Sequence, residues 1–315
     1  MNSFIDKSYV ESITGWNVSR FQTIKQSKNE NCVYRFKYKD EYYYLKAYVG
    51  SGSISDNETY IYRVAPPELE KYFKKLVLRR YSDEFDLVIG IYKEEKGNLL
   101  ADYTNAGSLN GKLKKDIISS FMNFVDLLFQ IETCGFGKIC KYEIPPVGEH
   151  VSFIDFLWEY QYGTSKTLLL NKTCQRYADL PYRLVVKNFD LLNTSEKGLI
   201  PMDNNFTNIM ITNQGIKYID PGKVIIGPKE MAIGEFSFHC GKSDLFDEVC
   251  QYFDCNRKIV KKIHIYSILS GLNILAYLIN NNVQDIINAK PFGNNDTFLD
   301  IIDYHLSFLL QSQDF

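Results

Sequence analysis

Residues 202–223, MDNNFTNIMITNQGIKYIDPGK, set Asp203, Asn208 and Asp220 among short apolar runs. Carboxylates and amides are costly beside a core unless they have partners. NIMI, TNQG and IKYID read as two short strands joined by a glycine-containing turn. With that turn centred on Gln214, Asn208 is expected directly across from Asp220, their Cβ atoms about 5 Å apart. An amide oxygen and a carboxylate at that separation suit a hard cation such as Mg²⁺, whose shell is completed by water and phosphate. Asp203, upstream in a loop, is a carboxylate able to take the proton of an attacking hydroxyl. The chemistry such a set supports is phosphoryl transfer. The alternative is that Asp203 and Asn204 only shape turns while Asn208 and Asp220 end strands.

Two further residues strengthen the first reading. Lys46 ends a strand otherwise full of tyrosines, and Glu58 follows near the start of a helix. Kinases need a lysine on the nucleotide phosphates, oriented by a glutamate from the next helix. A single Lys–Glu coincidence is cheap. Its place upstream of D-x-x-x-x-N and a later aspartate is less so.

The elements that must position these groups are legible in outline. NCVYRFKYKDEYYYLKAYV is a hairpin, with strands over 32–38 and 42–48. On the second strand Tyr42, Tyr44 and Lys46 share one face; Tyr43, Leu45 and Ala47 share the other. SDNETYIYRV begins a helix capped by Ser55 or Asp56, and Pro66-Pro67 ends or interrupts it. Strands are expected over 86–92 and 98–103. TNAGSLNGK is a polar connector, after which the chain turns helical. Ile117, Phe121, Phe124, Leu128 and Ile131 recur at helical spacing and predict one buried face. Residues 134–150 read as a loop, SFIDFLWEYQ and 176–192 as helices, and helices dominate again after 240. The fold class is α+β: two lobes, a β-rich N-lobe over 1–103 and a mainly helical C-lobe over 104–315.

Composition sets bounds on function. The chain has 315 residues, 45% hydrophobic, which suffices for a large core in two lobes. A formal net charge of -2 and the lack of a basic block give no pull toward nucleic acid or a membrane surface. The seven cysteines form no C-x-x-C pair, which argues against a zinc knuckle and for a reducing cytoplasm. The N-terminus lacks the basic-then-apolar pattern of a signal peptide. The long apolar stretch over 263–279 is interrupted by His264, Ser267, Ser270, Gly271 and Asn273 and reads as a buried helix.

Several segments together resemble the aminoglycoside phosphotransferase and choline kinase group of the protein-kinase-like fold, over roughly residues 20 to 240. LLADYTNAGSLNG resembles its hinge, CGFGKI and GEHVSFIDFL its core insertion, and YIDPGKVIIGPKEMAIGEF its metal-binding strand and following loop. The resemblance implies that Asp203 is the catalytic base and that Asn208 and Asp220 are Mg²⁺ ligands. It implies that Lys46 with Glu58 orients the phosphates of ATP or GTP. The backbone from Asp102 to Thr104 would hold the base, and Ser27 and Asn31 would lie nearest the phosphates in the covering loop. This chain departs from the family where Pro201-Met202 replaces the usual His-Gly, a change expected to shift Asp203 or slow turnover. Gly227-Pro228 also stands for Gly-Asp-Pro, and Met231 and Ala232 fall where an acid is usual.

The implied partner is a small-molecule hydroxyl acceptor, aminoglycoside-like or otherwise sugar-containing. From residue 230 onward eleven Asp/Glu face six Lys/Arg, which favours a cationic acceptor. Asp296, Asp300 and Asp303 fall at helical spacing and read as a solvated helix face or as acceptor contacts. His239 and His264 read as packing or hydrogen-bonding residues. The competing function is a kinase-shaped module that binds nucleotide with little or no catalysis. A protein kinase is a weaker reading, because no Ala-Pro-Glu segment follows Asp220. A monomer or a dimer fits equally.

Overall fold

The computed structural model describes residues 5–25, 32–48, 53–82, 87–105 and 107–311, with the side chains of 53–56 outside that description. Helix α1 (Lys7–Thr14) begins on Asp6, whose carboxylate accepts the Tyr9 N–H, and ends on Gly15 in the left-handed region. Strands β1 (Val18–Lys25), β2 (Cys32–Tyr38), β3 (Glu41–Tyr48), β4 (Leu76–Ser82) and β5 (Leu87–Lys93) make one antiparallel sheet, ordered β1-β2-β3-β5-β4. Between β3 and β4 run α2 (Ser53–Val64) and the one-turn α3 (Pro67–Glu70). The expected alternation holds on β3. Tyr43, Leu45 and Ala47 are buried with Ile5, Val10, Phe36 and Ile91 beneath α1, while Tyr44 and Lys46 stand on the opposite face.

The chain leaves this sheet through residues 94–97. Strand β6 (Asn98–Leu99) pairs with a strand of the second half, and α4 (Leu100–Asn105) follows at once. The strand expected over 98–103 is therefore two residues long. Asp102 ends it by accepting the Leu99 N–H at 3.1 Å, and Leu100 and Ala101 turn into the larger core. The crossing between halves consequently precedes residue 103.

Helix α5 (Gly111–Phe129) is capped by Asn110 and buries Ile117, Phe121, Phe124 and Leu128, as their spacing requires. The segment read as a loop instead forms the hairpin β7 (Phe136–Lys141) and β8 (Val147–His150). Gly135 and Gly137 have positive φ there, and a Cβ on Gly137 would meet the Phe156 ring at 2.8 Å. Helix α6 (Phe153–Leu168) follows. The helix expected over 176–192 is broken into a 3-10 turn at 175–177, α7 (Leu180–Lys187) and α8 (Phe189–Leu192). Pro181, which has no N–H to donate, starts α7 afresh.

Strand β9 (Gly198–Pro201) precedes the hairpin β10 (Ile209–Thr212) and β11 (Gly215–Tyr218), and β12 (Val224–Gly227) returns to pair with both β9 and β7. Four helices complete the chain: α9 (Lys229–Cys240), α10 (Asp244–Tyr252), α11 (Arg257–Asn280) and α12 (Phe298–Gln311). Helix α11 is long and apolar enough to cross a membrane. It packs against α6, α9 and α12 and buries Ile263 through Leu272 as the centre of the larger core.

Candidate active site

The hairpin that carries the acidic groups is one residue tighter than its sequence suggested. Ile209 faces Tyr218 and Thr212 faces Gly215, leaving a two-residue loop. Thr212 sets this turn: its hydroxyl accepts the Gln214 N–H at 3.1 Å and donates to the Gly215 carbonyl at 2.8 Å. Asn208 therefore lies opposite Ile219, whose N–H donates to the Asn208 carbonyl at 2.9 Å, and not opposite Asp220.

Asn208 and Asp220 are nevertheless brought together by the tertiary fold. Both line a cleft of about 320 Å³ whose other walls include Val33, Tyr44, Lys46 and Lys74. Lys46 Nζ lies 2.7 Å from Asp220 Oδ2. The second oxygen, Oδ1, is buried with no hydrogen-bond partner. The side-chain amide of Asn208 donates to the Asp203 carbonyl at 3.1 Å. A carboxylate oxygen without a partner and a neighbouring amide form a donor set that fits a hard cation. Among the described residues no cluster of three His, Cys, Asp or Glu offers a closed metal cage, so water and phosphate would have to complete the shell. Mg²⁺ meets that requirement.

Asp203 sits in the loop before β10 with φ of +90°, a conformation that a non-glycine residue holds only where its surroundings enforce it. Its Oδ1 accepts from Asn205 Nδ2 at 2.5 Å, and its Oδ2 lies 2.5 Å from Lys223 Nζ. The next residue anchors the loop. The Asn204 N–H donates to both oxygens of Glu235, and its side-chain amide donates to Oε2 at 2.6 Å. Pro201, where the family's histidine was expected, is an ordinary β9 residue paired with Val224.

Other expected residues take different places. Glu58 is 1% exposed and is occupied by the Tyr48 hydroxyl, by the Tyr92 hydroxyl at 2.5 Å and by Arg79 at 3.9 Å. Burial, with this carboxylate beside it, pushes the Tyr48 hydroxyl well above its usual range. Among the described residues no ion pair joins Lys46 to Glu58: the lysine reaches down to Asp220 instead. Asp102 and Thr104 serve α4 itself. Asp102 accepts from Leu99, and the Thr104 hydroxyl donates back to the Leu100 and Ala101 carbonyls at 3.2 and 3.0 Å. Thr104 faces a different cavity, shared with Asp244 and Asp296. Ser27 and Asn31 lie outside the described residues.

Four residues of the site were not singled out from sequence. Tyr44 shares the Lys46 face of β3 and offers a ring to the cleft; its position was visible but its role was not. Lys74 comes from the segment before β4, its ammonium 5.3 Å from the Tyr44 ring centre. Burial, reinforced by Lys46, pushes it down to about 8. Lys223 was read only as part of the segment after Asp220 and given no role. Glu235 carried the clearest overlooked signal, an acid inside the apolar run MAIGEFSF.

No protein-family model and no curated protein matches the chain. Solved structures do. Aminoglycoside phosphotransferase APH(4)-Ia, in a ternary complex with AMP-PNP and hygromycin B, aligns at 14% identity and a TM-score of 0.63, covering 97% of this chain and 98% of that one. Spectinomycin phosphotransferase APH(9)-Ia with ADP and spectinomycin aligns at 12% identity and 0.57, covering 97% and 95%. Plasmodium vivax ethanolamine kinase aligns at 16% identity and 0.56, covering 99% and 90%. A β-rich first half, a mainly helical second half and these full-length alignments agree. The chain has the two-lobed, protein-kinase-like fold of the small-molecule phosphotransferases.

Proposed function

We propose that the protein is a phosphotransferase that moves the γ-phosphoryl group of ATP or GTP to a hydroxyl of a small molecule. The observation that carries this reading is the convergence of Lys46, Asn208 and Asp220 on one cleft, with Asn208 hydrogen-bonded to the backbone of Asp203. Asn208 and Asp220 would hold Mg²⁺, which when bound supplies charge neutralisation along the phosphates. Lys46 adds positive charge on the same wall, and Lys74 extends it. The Tyr44 ring gives a planar base a surface to stack on. Asp203, held by the Asn204–Glu235 network, orients the acceptor hydroxyl and takes its proton. The hydroxyl oxygen then bonds to the γ-phosphorus, the bond to the β,γ-bridging oxygen breaks, and a nucleoside diphosphate leaves with a phosphate ester as the other product.

The test is Mg²⁺-dependent nucleotide turnover in the wild type and in Asp203→Asn. Loss of a positioned base is expected to lower turnover by about 10²- to 10⁴-fold while nucleotide affinity stays within about twofold. Equal, slow turnover in both proteins removes Asp203 from the chemistry. That result would favour the second reading, a nucleotide-binding module. Its motivating observation is that Glu58 is committed to Tyr48 and Tyr92 and leaves Lys46 without its expected partner.

A further inference from the structure

A smaller cavity, about 210 Å³, opens beside the catalytic loop. Met202 and Lys223 form one wall, Phe156 and Tyr160 on α6 another, and Lys138 on β7 the rim. Lys223 touches Asp203, so the cavity adjoins the base. Its lining contains two lysines and two aromatic rings and no carboxylate.

The placement of Lys138 follows from a local irregularity. Phe136 pairs with His150 and Ile139 with Gly148, so β7 advances three residues while β8 advances two. At this β-bulge, with Gly137 at φ of +89°, Phe136 and Ile139 are buried and Lys138 is exposed. Bulges re-aim side chains in this way. Among the described residues Lys138 has no ion-pair partner. Asn57 and Glu235, two other polar groups nearby, are committed. Asn57 accepts from the Tyr142 hydroxyl at 2.8 Å and donates to the Val224 carbonyl at 3.4 Å. Glu235 is held by Asn204 and by His239, the latter at 3.4 Å.

Four acids of the second half lie away from this cavity. Asp244 and Asp296 line the separate cavity shared with Thr104. Asp300 binds Thr297, and Asp303 binds Tyr177 at 2.8 Å. None of these four lines the cavity next to Asp203.

We infer that the acceptor is an anionic alcohol, a small hydroxylated molecule bearing a carboxylate or phosphate, seated between Lys138, Lys223 and the rings of Phe156 and Tyr160. The inference rests on the phosphotransferase reading for its chemistry but on this lining alone for its charge. The anionic group takes Lys138 and draws Lys223 away from Asp203 Oδ2, which frees that oxygen for the acceptor hydroxyl. The hydroxyl proton passes to Asp203, the hydroxyl oxygen bonds to the γ-phosphorus, and the nucleoside diphosphate leaves. Lys223 is in this sense a positioning residue.

Two measurements on the full chain test it. In the first, calorimetry without nucleotide reads the binding of gluconate and glycerol 2-phosphate against choline, hygromycin B and inositol. In the second, nucleoside diphosphate release is followed with the same panel. An anionic probe is expected to bind at least about tenfold more tightly than the neutral and cationic ones, the scale of one charge-assisted contact. Gluconate and glycerol 2-phosphate separate a carboxylate from a phosphate preference. Lys138→Glu is expected to cut the anionic-to-neutral affinity ratio by about tenfold or more, and Lys138→Arg to restore most of it. Tighter binding of choline or hygromycin B, or a ratio indifferent to Lys138→Glu, overturns the inference. Anion binding without nucleotide turnover supports the cavity assignment and overturns the phosphotransferase reading instead.

Discussion

Glu235 receives three hydrogen bonds from Asn204, two from its backbone N–H and one from its side-chain amide at 2.6 Å. A carboxylate 6% exposed on α9 thereby fixes the backbone next to Asp203. Helix α9 is apolar and buried nearly throughout, so this contact transmits the rigidity of the larger core to the loop. Replacing Glu235 by Ala leaves the buried Asn204 N–H unpaired and its side-chain amide with only the Pro201 carbonyl, at 3.1 Å. The expected loss is about 3 kcal/mol of stability, read as a lower urea midpoint, together with a fall in kcat. Glu235→Gln keeps an acceptor and should retain more of both.

On the proposed reading, Asp220 would join the cation to Lys46. With one oxygen on Lys46 and the other without a partner, Asp220→Asn removes the charge that both need. Chelation of Mg²⁺ and this substitution are expected to lower turnover to the same floor, and the variant should gain nothing from raised Mg²⁺. A variant still stimulated by Mg²⁺ with wild-type midpoint would place the cation elsewhere.

Lys74 is pushed down to about 8 by burial and by Lys46. An anion in the cleft favours its protonated form, so nucleotide affinity should be fullest below pH 8. Above it, affinity should fall by up to about tenfold per pH unit. Lys74→Met is expected to flatten the profile across pH 7 to 9.5. Titration with a non-hydrolysable nucleotide measures both.

His264 and His305 meet through their Nδ1 atoms at 2.8 Å, between α11 and α12. One ring donates and the other accepts, and burial favours the neutral form of both. Burial lowers His264 to about 3, and burial with His264 alongside lowers His305 well below its usual value. In the unfolded chain each titrates near 6.5. Their contribution to stability is complete above that value and is lost as pH falls from 6.5 toward 3, because the unfolded state binds more protons there. The slope is up to about 1.4 kcal/mol per pH unit for each ring. Urea midpoints between pH 7.5 and 5 should show it, and His305→Phe should roughly halve it. A wild-type midpoint constant over that range excludes the effect.

Local patterns were readable where one periodicity decided the outcome. The alternation on β3 put Tyr44 and Lys46 on the cleft face, and the spacing in α5 put Ile117 and Phe121 in the core. Reading failed where a single local bond outweighed the pattern. Thr212 closed a two-residue turn and moved Asn208 opposite Ile219. Asp102 capped a helix where a strand was expected. Two glycines with positive φ opened a hairpin in a segment taken for loop.

By itself the chain determined the two-part α+β architecture and marked Lys46, Asn208 and Asp220, which line one cleft, because residue type and spacing follow from local geometry. Which of those groups meet was a tertiary decision. Lys46 turned to Asp220 because Tyr48, Tyr92 and Arg79 had already filled the space around Glu58. Asp203 came against Lys223 while its neighbour Asn204 was fixed by Glu235. Charges far apart in sequence find partners only once packing fixes their distances, and the electrostatics of the cleft follows from that packing.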